Sequence, residues 1–191
     1  MNLPMMLLLM FVAAAQGRHT PTAETEGLSV DAPDSFVVAN QGATGALNLI
    51  EMVRPPETLE TWSQMISVAT LSNASQSTTV KQFYPIWRQG YRETCPGPRE
   101  TVVNGTVDGK PALKATFYCP RDAKTDAPES LTILFVQGEV NFLTVQLSFR
   151  RAMTSADKAL VQRVTKSLKV CDSRERASCS ARRPTGFLPQ G

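Results

Sequence analysis

Between Phe142 and Arg150, Leu143, Val145, Leu147 and Phe149 alternate with Thr144, Gln146, Ser148 and Arg150. A period of two gives one apolar and one polar face only on an extended strand. The apolar run Leu131 to Gln137 precedes it, and Gly138 to Asn141 joins the two as a hairpin connection. A chain with this hairpin has to build an antiparallel sheet and cover its apolar face with other elements.

The runs Thr101 to Val107 and Lys110 to Cys119 flank Asp108-Gly109, a dipeptide suited to a type I′ turn. Pairing Val107 with Lys110 sets Cys119 opposite position 98, three residues beyond Cys95. That register favours a Cys95–Cys119 disulfide, which leaves Cys171 with Cys179. A turn at Asn104-Gly105 is an alternative that shifts the register. Further upstream, a strand beginning at Asp34 to Ala39 and another over Ala46 to Val53 flank the Gly42 to Gly45 turn. The prolines Pro55 and Pro56 then end the second strand, because neither can donate to a sheet ladder.

Three helices are expected. Thr58 is placed to cap the first, whose Leu59, Trp62, Met65 and Ile66 recur at helical spacing, with Glu57 and Glu60 suited to its positive end. Ser67 to Leu71 reads as a short strand after it. Val80, Phe83, Tyr84 and Trp87 mark the second helix, with Pro85 expected to kink it or to start a new turn. Thr154 or Ser155 caps the third, whose apolar stripe is Leu160, Val161, Val164 and Leu168.

The chain of 191 residues fits one domain with extensions. Residues 1–15 read as a signal peptide: Leu7 to Ala15 is apolar, ends in Ala13-Ala14-Ala15, and is well short of the about 20 residues that span a bilayer. Residues 16–30 read as a flexible lead, 31–171 as a single α+β domain, and 172–191 as a basic, loop-like tail. Four cysteines in an exported chain argue for two disulfides, and no Cys-x-x-Cys pair suggests zinc. The net charge is +3, of which +2 belongs to residues 172–191, so the folded part is nearly neutral and nucleic-acid binding is not favoured. No membrane-spanning segment, cofactor or metal site is expected.

Catalysis finds little support in the residue inventory. The only histidine, His19, lies in the lead, where it cannot be held within hydrogen-bond reach of a nucleophile. Glu51, Glu57 and Glu60 are the carboxylates from which a hydrolase acting on an envelope polymer could be built. Tyr84 and Trp87, beside Pro85, are candidate ligand-binding aromatics, although packing explains aromatic side chains equally well. Asn73-Ala74-Ser75 and Asn104-Gly105-Thr106 match the N-glycosylation pattern, which matters only in a eukaryotic secretory pathway.

Glu57-Thr58-Leu59-Glu60-Thr61-Trp62 leading to Met65, and the closing helix Val161 to Leu168, resemble the PsbP-like α/β/α sandwich shared by small exported bacterial proteins of the DcrB type. The resemblance covers Asp31 to Val170. It implies a mainly antiparallel sheet flanked by helices, and an exported, non-catalytic binding or assembly protein working in the periplasm or outside the cell on an unknown envelope protein or ligand.

Overall fold

The structure, a computed structural model, describes residues 25–172 and Arg174. The expected signal peptide and most of the tail lie outside the described residues. In chain order the elements are β1 (Glu26–Ser29), β2 (Val37–Thr44), β3 (Leu47–Val53), β4 (Gln64–Leu71), α1 (Val80–Thr94), β5 (Arg99–Val107), β6 (Lys110–Cys119), β7 (Glu129–Gln137), β8 (Phe142–Phe149), α2 (Ser155–Ser167) and β9 (Lys169–Asp172). Seven strands form one antiparallel sheet in the order β2-β3-β4-β8-β7-β6-β5, and β1 pairs with β9 in a separate antiparallel ribbon.

Strand β8 lies between β4 and β7, so the alternating stretch of the sequence occupies the middle of the sheet. Its Leu143, Val145, Leu147 and Phe149 join Leu134, Val136, Ile66 and Val68 in a core under α2, where Leu160, Val164 and Leu168 complete the packing. The opposite face of β6 and β7 turns Leu113, Ala115, Phe117, Leu131, Ile133 and Phe135 toward Val80, Phe83 and Trp87 of α1. The two helices therefore cover opposite faces of one sheet. This is the α+β architecture, a mainly antiparallel sheet flanked by helices, that the PsbP-like resemblance implies.

The β5–β6 register pairs Val107 with Lys110 and Arg99 with Tyr118. Asn104 and Gly105 lie within β5, and Asp108-Gly109 makes the turn with both residues at positive φ. Cys95, at the end of α1, is bridged to Cys119, the pair that register favours. Closing a loop of this length by a bond is worth about 3 kcal/mol through the unfolded state. Cys171 is also disulfide-bonded, and Cys179 lies outside the described residues.

Three sequence expectations need correction. No helix forms over Leu59 to Ile66. Thr58 does cap, accepting from the Glu60 N–H, but only one turn follows, with Thr61 N–H donating to the Thr58 carbonyl at 3.2 Å. Chain extension resumes at Gln64 because Ile66, Val68 and Thr70 alternate with Met65, Ser67 and Ala69, and because β3 and β8 both supply ladder partners. A short helix would forfeit those bonds, and so few residues form a marginal helix in water. Trp62 is buried all the same, under the Arg150 guanidinium at 4.2 Å from the ring centroid.

The second correction concerns the new turn expected as one alternative at Pro85. One helix runs from Val80 to Thr94 on both sides of it, started by a capping box between Thr79 and Gln82. Pro85 lacks the N–H that would bond to the Lys81 carbonyl, and the helix continues past it without that bond.

The third is that the flexible lead does not extend to residue 30, since Glu26 to Ser29 pair with β9 and Leu28 and Val30 enter the core under α2. The pairing partner lies at the other end of the domain, so no local pattern announces it. The Glu26 carboxylate, itself buried, accepts the backbone N–H groups of Glu139, Val140 and Asn141 at 2.6, 2.9 and 2.6 Å. Asn141 Nδ2 donates back to the Glu26 carbonyl at 2.9 Å. The ribbon is thus latched onto the β7–β8 turn, and a Cβ at Gly138 would sit 2.5 Å from a Glu26 carboxylate oxygen. Gly138→Ala is expected to cost about 2 kcal/mol in urea unfolding by displacing this carboxylate; a loss below about 0.5 kcal/mol would show that the latch yields freely.

Candidate functional site

The position of α2 decides where the sheet stays open. Thr154 caps the helix, accepting from the Asp157 N–H, while the Asp157 carboxylate accepts from the Thr154 N–H and hydroxyl. Asp157 is 1% exposed and also receives Gln64 Nε2 at 2.7 Å and Arg151 Nη2 at 2.8 Å. A buried carboxylate needs this many donors to stay out of water. It fastens the start of α2 to β4 and to the segment after β8.

Held there, α2 packs over β4, β8 and β7 and leaves Thr101 and Val103 of β5 exposed and Lys114 and Thr116 of β6 half-buried on the same face. The result is a groove of about 310 Å³. Its floor is a cross-strand row of three threonines, because Thr101 pairs with Thr116 and Thr116 with Thr132. The Thr116 and Thr132 hydroxyls lie 3.1 Å apart and bond to each other. Each hydroxyl keeps further donor or acceptor capacity. In the next row Val103 pairs with Lys114, and both line the groove. Lys158 and Val161 of α2 form the wall, and Met153 contributes from the β8–α2 connection.

The lining holds no carboxylate, histidine or cysteine. Among the described residues no group of three or more His, Cys, Asp or Glu could hold a metal ion, and no helix is long and apolar enough to cross a membrane. The arrangement suits binding through hydroxyls, ammonium groups and short apolar side chains.

Tyr84 and Trp87 lie on the other face of the sheet. Trp87 stacks on Tyr91 with centroids 5.6 Å apart and packs edge-on against Phe135 at 5.4 Å. The Tyr84 hydroxyl donates to Glu100, which also receives Arg88 Nε at 2.6 Å. Burial, then the bond to Glu100, pushes the Tyr84 phenol well above its ordinary range. For Glu100 burial acts upward, but the bonds from Tyr84 and Arg88 and the charges of Arg88 and Arg92 outweigh it and lower the pKa. These contacts tie α1 to β5. The sequence carboxylates are each engaged separately: Glu51 accepts from Asn40 Nδ2 at 2.9 Å, Glu57 accepts from the Ser63 N–H at 3.1 Å, and Glu60 accepts from the Thr58 hydroxyl at 2.6 Å. His19 lies outside the described residues. Asn73 is an exposed turn residue and Asn104 an exposed β5 residue.

The Thr101–Thr116 pair follows from the hairpin register readable in the sequence. Thr132 does not, because the residues between Cys119 and Glu129 give no turn signal that sets the β6–β7 register. The lysines carried no motif at all.

No known protein family matches the chain, and no curated protein sequence matches it. Among solved structures it is similar to the cyanobacterial PsbP protein, CyanoP, of Synechocystis, with a TM-score of 0.52 at 13% identity over 83% of this chain and 98% of that one. The fold resembles that of CyanoP. The chain is also similar to the Ran-binding protein Mog1p of Saccharomyces cerevisiae, with a TM-score of 0.48 at 11% identity over 78% of this chain and 92% of that one. Against LpqN of Mycobacterium tuberculosis, a protein involved in cell envelope biogenesis, the TM-score is 0.44 at 9% identity over 77% of this chain and 84% of that one. At these identities the CyanoP likeness speaks for the fold alone, and the other two carry no further argument.

Because Glu100 has its pKa lowered in the folded state, its contribution is complete above the ordinary value of 4.5 and disappears as pH falls through the lower folded value. Glu100→Gln is expected to cost about 1 to 2 kcal/mol at pH 7. The gap to the parent protein should close on acidification, which urea unfolding at pH 7 and in acid will show. A constant gap would mean that shape, not charge, joins α1 to β5.

Proposed function

We propose that this chain is an exported, non-catalytic binding or assembly protein of the cell envelope, of PsbP-like or DcrB-like kind, and that it holds its ligand in the groove between α2 and strands β5 to β7. The observation that carries the reading is the groove itself: an open floor on a rigid sheet, lined by hydroxyls, ammonium groups and aliphatic side chains, with no acid–base pair among them. Support for export comes from the Cys95–Cys119 bridge, since disulfides persist in oxidising compartments, and from the apolar run near the N-terminus. The packing of the Tyr84 and Trp87 rings against Phe117, Phe135 and Tyr91 favours the groove over those two residues as the proposed site.

Val103 is half exposed on the groove floor, so Val103→Trp should fill the groove without disturbing the core. In amide NMR titrations against fatty acids, phospholipids and peptidoglycan fragments, the perturbations are expected to cluster at Thr101, Lys114, Thr116 and Thr132. They should vanish in Val103→Trp at an unchanged melting temperature. Perturbations centred on Tyr84 and Trp87 that survive the substitution, or turnover of a polymer fragment, would refute the reading.

A further inference from the structure

The chemistry of the groove narrows its ligand beyond the reading above, on which this inference rests. Lys114 and Lys158 both line the groove, and neither forms a salt bridge with any described residue. Acids stand next to the lining in sequence but are turned away from it. Glu100, beside Thr101, is held by Tyr84 and Arg88 on the α1 face, and Asp157, beside Lys158, is buried against Gln64, Arg151 and Thr154. The groove therefore carries two positive charges with no internal counterion, one from the floor and one from the wall.

The Thr116 and Thr132 hydroxyls line the same groove; one hydrogen is spent on the bond between them, which leaves the other free to donate to an oxyanion, and Val103, Met153 and Val161 offer aliphatic surface at the same site. A volume of about 310 Å³ is at the small end for a ligand pocket. We infer that the groove binds a small anionic amphiphile, a carboxylate or phosphate group on a short apolar body, with Lys114 and Lys158 on the anionic head and Val103, Met153 and Val161 on the body. A bare anion would leave the aliphatic side unused, and a neutral alkyl ligand would gain nothing from either ammonium group.

The test is an NMR titration of the oxidised protein with octyl phosphate, octanoate, inorganic phosphate and 1-octanol. Octyl phosphate or octanoate should perturb Thr116 and Thr132 and bind at least about tenfold more tightly than either inorganic phosphate or 1-octanol. Lys114→Met and Lys158→Met should each weaken the preferred amphiphile about tenfold at an unchanged melting temperature, and Lys114→Arg should retain most of its affinity. The stronger of the two amphiphiles identifies the head group. Equal binding of 1-octanol, with no effect of the lysine substitutions, would overturn the anionic assignment while leaving the groove as a binding site. Inorganic phosphate binding as tightly as octyl phosphate would overturn the role of the apolar body. Perturbations outside the groove with every probe would overturn both this inference and the reading of the groove as the binding site.

Discussion

Strands β4, β8 and β7 carry apolar side chains that have to be kept dry on the α2 side and, over β7, on the α1 side as well. Every other element is placed by that requirement. Val145 and Leu147 need a cover on one side, which α2 supplies with Leu160, Val164 and Leu168. Ile133 and Phe135 need one on the other, which α1 supplies with Val80, Phe83 and Trp87. Neither helix is wide enough to cover seven strands. An α-helix with its side chains is about 10 to 12 Å across, and strands are spaced about 5 Å apart.

The groove is a consequence of that mismatch. Asp157 pins the start of α2 toward β4, so the β5–β6 end of the face is left uncovered. Residues there can vary without unsettling the core, since β5 is an edge strand whose only sheet partner is β6 and its Thr101 and Val103 are exposed. Polar rows on such a floor are compatible with the fold because the strands' backbone groups are already paired, leaving side chains available to a ligand.

Much of this architecture is legible in the sequence. The alternation of Leu143 to Phe149, the Asp108-Gly109 turn with its disulfide consequence, and the Thr154 cap are all short-range signals whose physics is complete within a few residues. What escaped depended on distant partners. Leu59, Trp62, Met65 and Ile66 satisfy a helical spacing, yet β3 and β8 on either side of Gln64 to Leu71 made the extended form the better-bonded one. The β1 strand was hidden for the same reason, since its ladder partner β9 and the backbone donors that hold Glu26 lie far along the chain. The groove was half visible: register arithmetic joins Thr101 to Thr116, but only the folded sheet adds Thr132 and brings Lys158 across from α2.

The central claim is that two offset helices leave the β5 side of the α2 face open while sealing the middle of the sheet. Native-state hydrogen exchange resolved by residue tests it most directly. The amides of Leu131 to Val136 and Leu143 to Leu147 should exchange only through global unfolding, whereas β5 amides exchange through local opening at much lower cost. Protection of β5 equal to that of β7 in the ligand-free protein would mean that something covers this face, and would contradict the account.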